Sequence, residues 1–381
     1  MNESEATLGD VAVYFLRLGA TGFGGPVALA NAIRRDLVEA RGWLSEREYE
    51  AGLAIAAACP GPLAYQLGVY CGYVRFGVPG GLAVAVTFAL APFAIVLAAA
   101  MLYTHFAAAA TLRAVFYGVG PVVVALIFKA SWQLGKRTLR KEGLAWAIAA
   151  AAGLLTVVLE RELVAVFLAA GMLGLLVYAR GAPPRATALV FALPPLATLG
   201  PPWLQLFLFF FKSGALIFGS GLVIVPFLRT YVVDEYHWIT MRAFLDAVAI
   251  GLVSPGPVVI TATFVGYLVD GVRGALAATL GIFTPAVLFT LWATPVLLRH
   301  GENPRLRGFV RGVTCAVVGV LLGTAVLVAR SVIGDALTTT LALVTLAALL
   351  SSRAIPEPLL VAAGGIVGLV AYPLLQPAWL P

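Results

Sequence analysis

The chain has 381 residues, of which 61% are hydrophobic and only 11% charged, with a mean hydropathy of +0.98. Soluble domains carry about 25% charged residues, so 25 basic and 18 acidic side chains are too few to solvate a surface of this size. A cytosolic enzyme, a disordered regulator and a secreted disulfide scaffold are excluded, and the +7 net charge does not mark a nucleic-acid binder, because Lys and Arg are confined to short gaps between apolar blocks.

Those blocks are about 17–25 residues long, enough to span a hydrocarbon core as helix, and the alternating strands of a membrane barrel are absent. The chain therefore reads as an all-α polytopic membrane protein. Its acidic start, MNESEATLGD, lacks the basic region of a signal peptide and is expected to be retained. A first helix is predicted over about 10–31, interrupted by Gly22-Phe23-Gly24-Gly25-Pro26. A charged amphipathic loop (32–50) follows, then an apolar segment (51–74) broken at Pro60-Gly61-Pro62. Long helices are predicted over about 79–104 and 113–134, then a basic loop and a hairpin of short helices, 143–159 and 163–179. After a Pro-rich connector, the same series returns at about 204–227, 243–267, 274–298, 309–329, 335–351 and 356–375.

The return is a sequence repeat as well as a pattern. At an offset of 195, Gly19-Ala20 falls on Gly214-Ala215, Phe23-Gly24 on Phe218-Gly219, Trp43 on Trp238 and Pro60-Gly61-Pro62 on Pro255-Gly256-Pro257. Beyond that point the offset is 194, with Leu112-Arg113 on Leu306-Arg307. Apolar bias alone does not align Trp and Pro-Gly-Pro over a hundred residues. Two homologous membrane repeats are expected, 1–180 and 203–381, joined by the connector 181–202. Each would have about five spanning helices plus a broken, re-entrant Pro-Gly-Pro segment. With re-entrant segments, 16 of the 22 basic residues outside the apolar blocks share one side; with crossing segments the division is 14 against 8. The positive-inside rule favours re-entry. Either way an odd number of crossings separates the halves, so the second is inverted, an arrangement recurrent in secondary transporters.

Pro-Gly-Pro inside a membrane segment must break the helix, since the prolines remove two donors and the glycine admits a non-helical turn. Free backbone groups are tolerated there only against protein or a water-filled cavity. Each break opens a new half-helix, at Leu63, Ala64 and Tyr65 and again at Val258, Val259 and Ile260. Such N-termini are anion sites; the alternative is a proline kink satisfied by neighbouring helices. The glycine breaks, Gly22 to Pro26 and Phe218-Gly219-Ser220-Gly221, are weak signals alone, because glycine also marks close helix packing. Each follows a basic residue, Arg17 or Lys212. An intramembrane charge is a functional candidate by default, although both sit near helix starts and could snorkel to the interface. Candidate substrate-binding residues are thus Arg17, Gly22, Phe23, Gly24, Gly25, Pro60, Gly61, Pro62, Lys212, Gly219, Ser220, Pro255, Gly256 and Pro257. Supporting candidates are Tyr65, Gln66, Lys129, Asp246, Ser254 and Thr261, with Thr263 also near the breaks. Asp246 reads first as an interfacial acid at a helix start capped by Thr240 and second as a coupling carboxylate. Trp43 and Trp238 read as interfacial anchors, with Ser45 and Thr240 as helix caps. No cluster of His, Cys or carboxylates has metal or catalytic spacing.

With Phe23-Gly24-Gly25-Pro26, a basic loop ending in Trp43, Pro60-Gly61-Pro62 and their echoes, the chain resembles the chromate ion transporter family in its long two-domain form. The resemblance covers both halves. It implies a multi-pass protein of the bacterial inner membrane that exports chromate, with sulfate as a close analogue, and confers chromate resistance. It implies an oxyanion substrate and the lipid bilayer as partners, neither nucleic acid nor cofactor, and leaves room for a homodimer. It carries over motif roles to Arg17, Gly22 to Pro26, Pro60 to Pro62, Phe218, Gly219 and Pro255 to Pro257; the second glycine motif ends Ser220-Gly221, without a counterpart of Pro26. The rival readings are an inward transporter of sulfate or another oxyanion, an anion channel, and a membrane enzyme, the last without a supporting side-chain cluster.

Overall fold

The computed structural model describes residues 6–23, 25–106, 110–139, 142–159, 164–178, 200–219, 224–300, 304–351, 355 and 357–375. Its elements are α1 (Leu8–Thr21), α2 (Gly25–Ile33), α3 (Glu46–Ala58), β1 (Gly61–Pro62), α4 (Leu63–Phe106), α5 (Ala110–Thr138), α6 (Gly143–Leu159) and α7 (Val164–Tyr178). The second half has α8 (Pro202–Gly214), β2 (Phe218–Gly219), α9 (Ile224–Phe227), α10 (Met241–Val253), α11 (Thr261–His300), α12 (Pro304–Val332), α13 (Ala336–Leu350) and α14 (Glu357–Leu375). Residues 181–199 of the connector lie outside the described residues.

The charged stretch 32–50 differs from the expected loop. Arg34–Ala40 forms a π-helical turn, and α3 begins at Glu46. Arg34 bonds Glu39 at 3.2 Å and Glu46 at 2.8 Å, which holds the turn against the helix that follows. Ser45 caps α3 in a reciprocal capping box with Glu48, satisfying two helix-end donors. Leu228–Glu235 is the matching π-helical turn of the second half, and the Thr240 hydroxyl accepts from the Ala243 N–H to cap α10.

Both long helices fold back on themselves. Phe76-Gly77 leaves helical geometry with Gly77 at φ +62°, and Asp270-Gly271 does the same 194 positions later with Gly271 at φ +55°. Only glycine takes this left-handed geometry without strain. The limbs of α4 then lie side by side: the Tyr65 hydroxyl donates to the Ala85 carbonyl at 2.8 Å, and the Tyr65 and Phe88 rings stack at 6.0 Å. α3 packs against the first limb as well, with Gly52 under the Tyr70 ring and Leu67. Pro60-Gly61-Pro62 is therefore the tip of a helical hairpin whose other ends, Ser45 and Phe76, lie at the same end of it.

The halves are interleaved. α12 packs along α6 and α7 of the first half, α5 along α13 and α14 of the second, and α4 against α11. Lys129 in α5 meets Glu357 at the start of α14, Nζ to Oε1 at 3.1 Å, both largely shielded. This pairing accounts structurally for the charge in the fourth apolar block. Removing one partner strands the other in low dielectric. Lys129→Met and Glu357→Gln should each lower stability by about 1–3 kcal/mol, with the double variant less harmed than the two losses added. Thermal unfolding in detergent reads this directly.

Large apolar side chains face outward in helical spacing: Val78, Leu82, Val86 and Leu90 on α4, and Leu276, Leu280 and Leu288 on α11. Polar groups such as Gln66, Asp246 and Thr290 are wholly buried. An apolar belt around a polar-containing core is the surface that lipid solvates. Among the described residues, four helices are long and apolar enough to cross a membrane, Leu63–His105, Tyr117–Lys136, Val258–Pro295 and Arg311–Val332, alongside four shorter apolar ones.

Candidate functional site

Each Pro-Gly-Pro tip meets the glycine break of the other half. Proline leaves Gly61 as the sole N–H donor of its tip, and that N–H donates to the Ile217 carbonyl at 2.6 Å. The Gly256 N–H donates to the Gly22 carbonyl at 2.8 Å. Residues 61 and 256, and 22 and 217, are each 195 apart, so one bond is the repeat image of the other. β1 and β2 run parallel through this crossing, Gly61 opposite Phe218 and Pro62 opposite Gly219. Each half thus closes its broken helix against the glycine break of the other half. The glycines have no room for a side chain: a Cβ on Gly61 (φ +138°) would come 2.7 Å from the Ala286 Cβ, and one on Gly256 (φ +88°) 2.5 Å from the Pro92 Cγ.

From the tips the chain re-enters helix at Leu63 and, through a 3₁₀ turn Val258–Ile260, at Thr261. The first N–H groups of a helix have no partner within it, so both starts direct donors and the positive end of a dipole at the crossing. Gly61, Pro62, Ala64, Tyr65 and Gln66, and Ser254 through Pro257, are buried. The Tyr65 ring bridges the halves, 4.4 Å from the Phe283 ring. Gln66 Nε2 donates to the Pro60 carbonyl at 2.7 Å, and its Oε1 is buried without a partner among the described residues. The Ser254 hydroxyl donates to the Gly251 carbonyl at 3.1 Å and Thr261 to the Val258 carbonyl at 2.8 Å. Thr263 lies deeper in the core, sharing a 2.7 Å hydrogen bond with Thr279.

The other candidates stand apart from this crossing. Gly24 and Ser220 lie outside the described residues; Gly22 and Gly25 flank the first break, and Phe23 there is 47% exposed. Arg17 is on the exposed face of α1. Lys212 is half-buried, its ammonium 5.8 Å from the Tyr231 ring centroid. Trp43 packs edge-on to Tyr14 with Arg41 4.6 Å over its ring, and Trp238 packs edge-on to Phe209 at the matching place.

Asp246 is fully buried in the second turn of α10, the helix that Thr240 caps as expected. Its Oδ2 accepts from the Tyr103 hydroxyl at 2.6 Å, and its Oδ1 has no partner among the described residues. One turn earlier, Arg242 buries Nε and Nη2, also without partners there. Tyr103 and Glu357 were not legible as participants, because their partners lie far away in sequence; Arg242 falls on Arg47 at the offset of 195, but Asp246 falls on Ala51, so the repeat did not mark the pair. Tyr103→Phe removes the hydroxyl from a buried carboxylate and should destabilise by about 1–3 kcal/mol, seen as a lowered melting temperature. Among the described residues no three His, Cys, Asp or Glu side chains converge on a metal position.

A sequence model of the chromate transporter family matches residues 9–175 and 204–369. The chain is 44% identical to a chromate transport protein of Cupriavidus metallidurans, over 97% of this chain and 94% of that one. It is 41% identical to a probable chromate transport protein of Synechococcus elongatus over 96% of both chains, and 34% identical to a chromate transport protein of Pseudomonas aeruginosa over 82% and 79%. No solved structure matches. With its apolar belt and spanning helices, the chain is a multi-pass membrane transport protein, not an enzyme, and it belongs to the chromate transporter family.

Proposed function

We propose that the chain exports chromate across the bacterial inner membrane by alternating access of two inverted repeats, 1–180 and 203–381, and so confers chromate resistance. The observation that carries this reading is the pair of matched hydrogen bonds, Gly61 to Ile217 and Gly256 to Gly22, by which each buried half-helix start is closed against the glycine break of the other half. Backbone donors and dipole ends favour a compact anion there. Carboxylates are absent from the tips themselves, which disfavours a cation as cargo. The substrate site comprises the tips Pro60 to Pro62 and Pro255 to Pro257, the breaks from Gly22 to Gly25 and at Gly219-Ser220, and supporting polar groups at Tyr65, Gln66, Ser254 and Thr261. Arg17 and Lys212, offset from the crossing, act as cations on the approach to it.

Export fits the membrane potential. Each negative charge leaving an inside-negative cell gains about 2.3 kcal/mol per 100 mV, so outward movement needs no coupled ion. Expression in a chromate-sensitive bacterium should lower cellular chromate at equal external dose and raise tolerance. Higher cellular chromate would instead assign inward transport, and flux that never saturates would assign a channel.

A further inference from the structure

The elements sort into two bodies by what they pack against, and the division cuts across the repeats. α1 packs along α4, α8 along α11, and α4 against α11, with α2, α3, α9 and α10 around them. This carrier holds both Pro-Gly-Pro tips. α12 packs along α6 and α7, α5 along α13 and α14, and α5 against α12, which makes a frame. Each body takes its elements from both halves. The chain passes from one to the other between α4 and α5, between α7 and α8, and between α11 and α12.

Polar contacts between the halves follow the same division. Gly61 with Ile217, Gly256 with Gly22 and Tyr103 with Asp246 join the halves inside the carrier. Inside the frame Lys129 meets Glu357, the Tyr117 hydroxyl donates to Asp335 at 2.6 Å, and Arg311 pairs with Glu142. Tyr117 and Arg311 are 194 apart, and their partners stand just ahead of α13 and α6, so these two clasps are repeat images. Close backbone packing falls the same way. In the frame a Cβ on Gly153 would come 2.9 Å from the Gly319 carbonyl oxygen, and one on Gly364 2.8 Å from that of Gly118. In the carrier, one on Gly19 would come 2.7 Å from the Phe88 carbonyl oxygen and one on Gly281 2.6 Å from that of Phe207.

The bodies meet where α10 lies against α5 and α14, and where α12 touches α3, α9 and β2. A ring contact marks this seam, Phe167 of α7 stacked on Phe227 of α9 at 5.7 Å. Parting the repeats would break the buried bonds that join them and strand their polar groups in low dielectric. It would also pull apart helices packed backbone to backbone at glycine. Ring and aliphatic contacts, by contrast, can slide and re-form, as packed helices do in shear motions. We propose that the moving boundary in transport is this seam, not the line between the repeats: the carrier slides past the frame as one rigid body, with both tips and their anion on board. This deepens the alternating access proposed above and rests on it. The inverted repeat then makes the inward and outward states images of each other.

The test is distance between spin labels in proteoliposomes of the full chain, with and without chromate, at exposed leucines of α4, α6, α11 and α13. The native thiols Cys59, Cys71 and Cys315 are buried, so the label goes to the introduced sites. Leu82→Cys with Leu154→Cys, and Leu280→Cys with Leu343→Cys, each lie in one half but span the seam. Both pairs should show a second distance, about 5 Å or more from the first, whose share chromate changes. Leu82→Cys with Leu280→Cys, and Leu154→Cys with Leu343→Cys, span the halves but stay within one body, and each should keep a single distance. Should a labelled chain lose flux, Val86 replaces Leu82 and Val344 replaces Leu343. Wild-type chromate flux equal to that of empty vesicles would overturn the proposed function. With flux present, four unchanged distances, or changes confined to the pairs that span the halves, would overturn this inference alone.

Discussion

Replacing either tip glycine by alanine, Gly61→Ala or Gly256→Ala, should reduce chromate flux about tenfold or more, at least ~1.4 kcal/mol on the barrier. Two physical effects add. Gly61 at φ +138° and Gly256 at φ +88° occupy backbone geometry that L-residues adopt only under strain. The new Cβ would also press on Ala286 and Gln66 in one case and on Pro92 in the other. Because each tip is bonded to the opposite glycine break, neither can shift without lengthening that bond. A control separates strain from crowding. Gly42 is also left-handed, at φ +62°, but has nothing within 4 Å of a built Cβ. Gly42→Ala should therefore leave flux near wild type. Comparable losses at positions 61 and 256 would show that both half-sites are needed; loss at one alone would assign the substrate to that tip.

Charge reversal of the approach cations is the second large effect. Arg17→Glu or Lys212→Glu should abolish export, a fall of about a hundredfold, while membrane abundance stays close to wild type. Each substitution changes the local charge by two units beside the path of an anion, and low dielectric magnifies that change. Folding should tolerate it, because Arg17 is exposed and Lys212 is half-buried with its ammonium 5.8 Å from the Tyr231 ring centroid. The neutral variants Arg17→Gln and Lys212→Gln should retain a fraction of activity that falls as ionic strength rises. Wild-type flux in both reversed variants would remove these residues from the pathway and leave them as interfacial charges.

What the sequence made legible is what the repeat duplicates. The breaks at Pro60-Gly61-Pro62 and Pro255-Gly256-Pro257, the caps Ser45 and Thr240 and the reversals near residues 77 and 271 follow from proline, glycine and capping chemistry acting locally. The helix boundaries fell within a few residues of expectation for the same reason; α6 spans the predicted 143–159. Cross-half geometry was not legible. Nothing local says that Gly61 bonds Ile217, or that α12 packs on the hairpin of the first half. Lys129 and Glu357 are 228 positions apart, and Tyr103 and Asp246 are 143 apart. Hydropathy placed Arg17 within an apolar block but could not say which face of α1 carries it. The charged stretch 32–50 read as a loop because its ion pairs run along a π-helical turn with no apolar period to reveal it.

These parts combine into one account: each half closes its broken helix on the glycine break of the other, and the proposed oxyanion site lies at those turns. The most direct test is labelled chromate in proteoliposomes of the purified chain, loaded inside and held at an imposed inside-negative potential. The account predicts saturable efflux that the potential accelerates, that Gly61→Ala and Gly256→Ala both suppress, and that protein-free liposomes lack. Efflux indistinguishable from that of empty liposomes, or equal in both glycine variants and wild type, would contradict it.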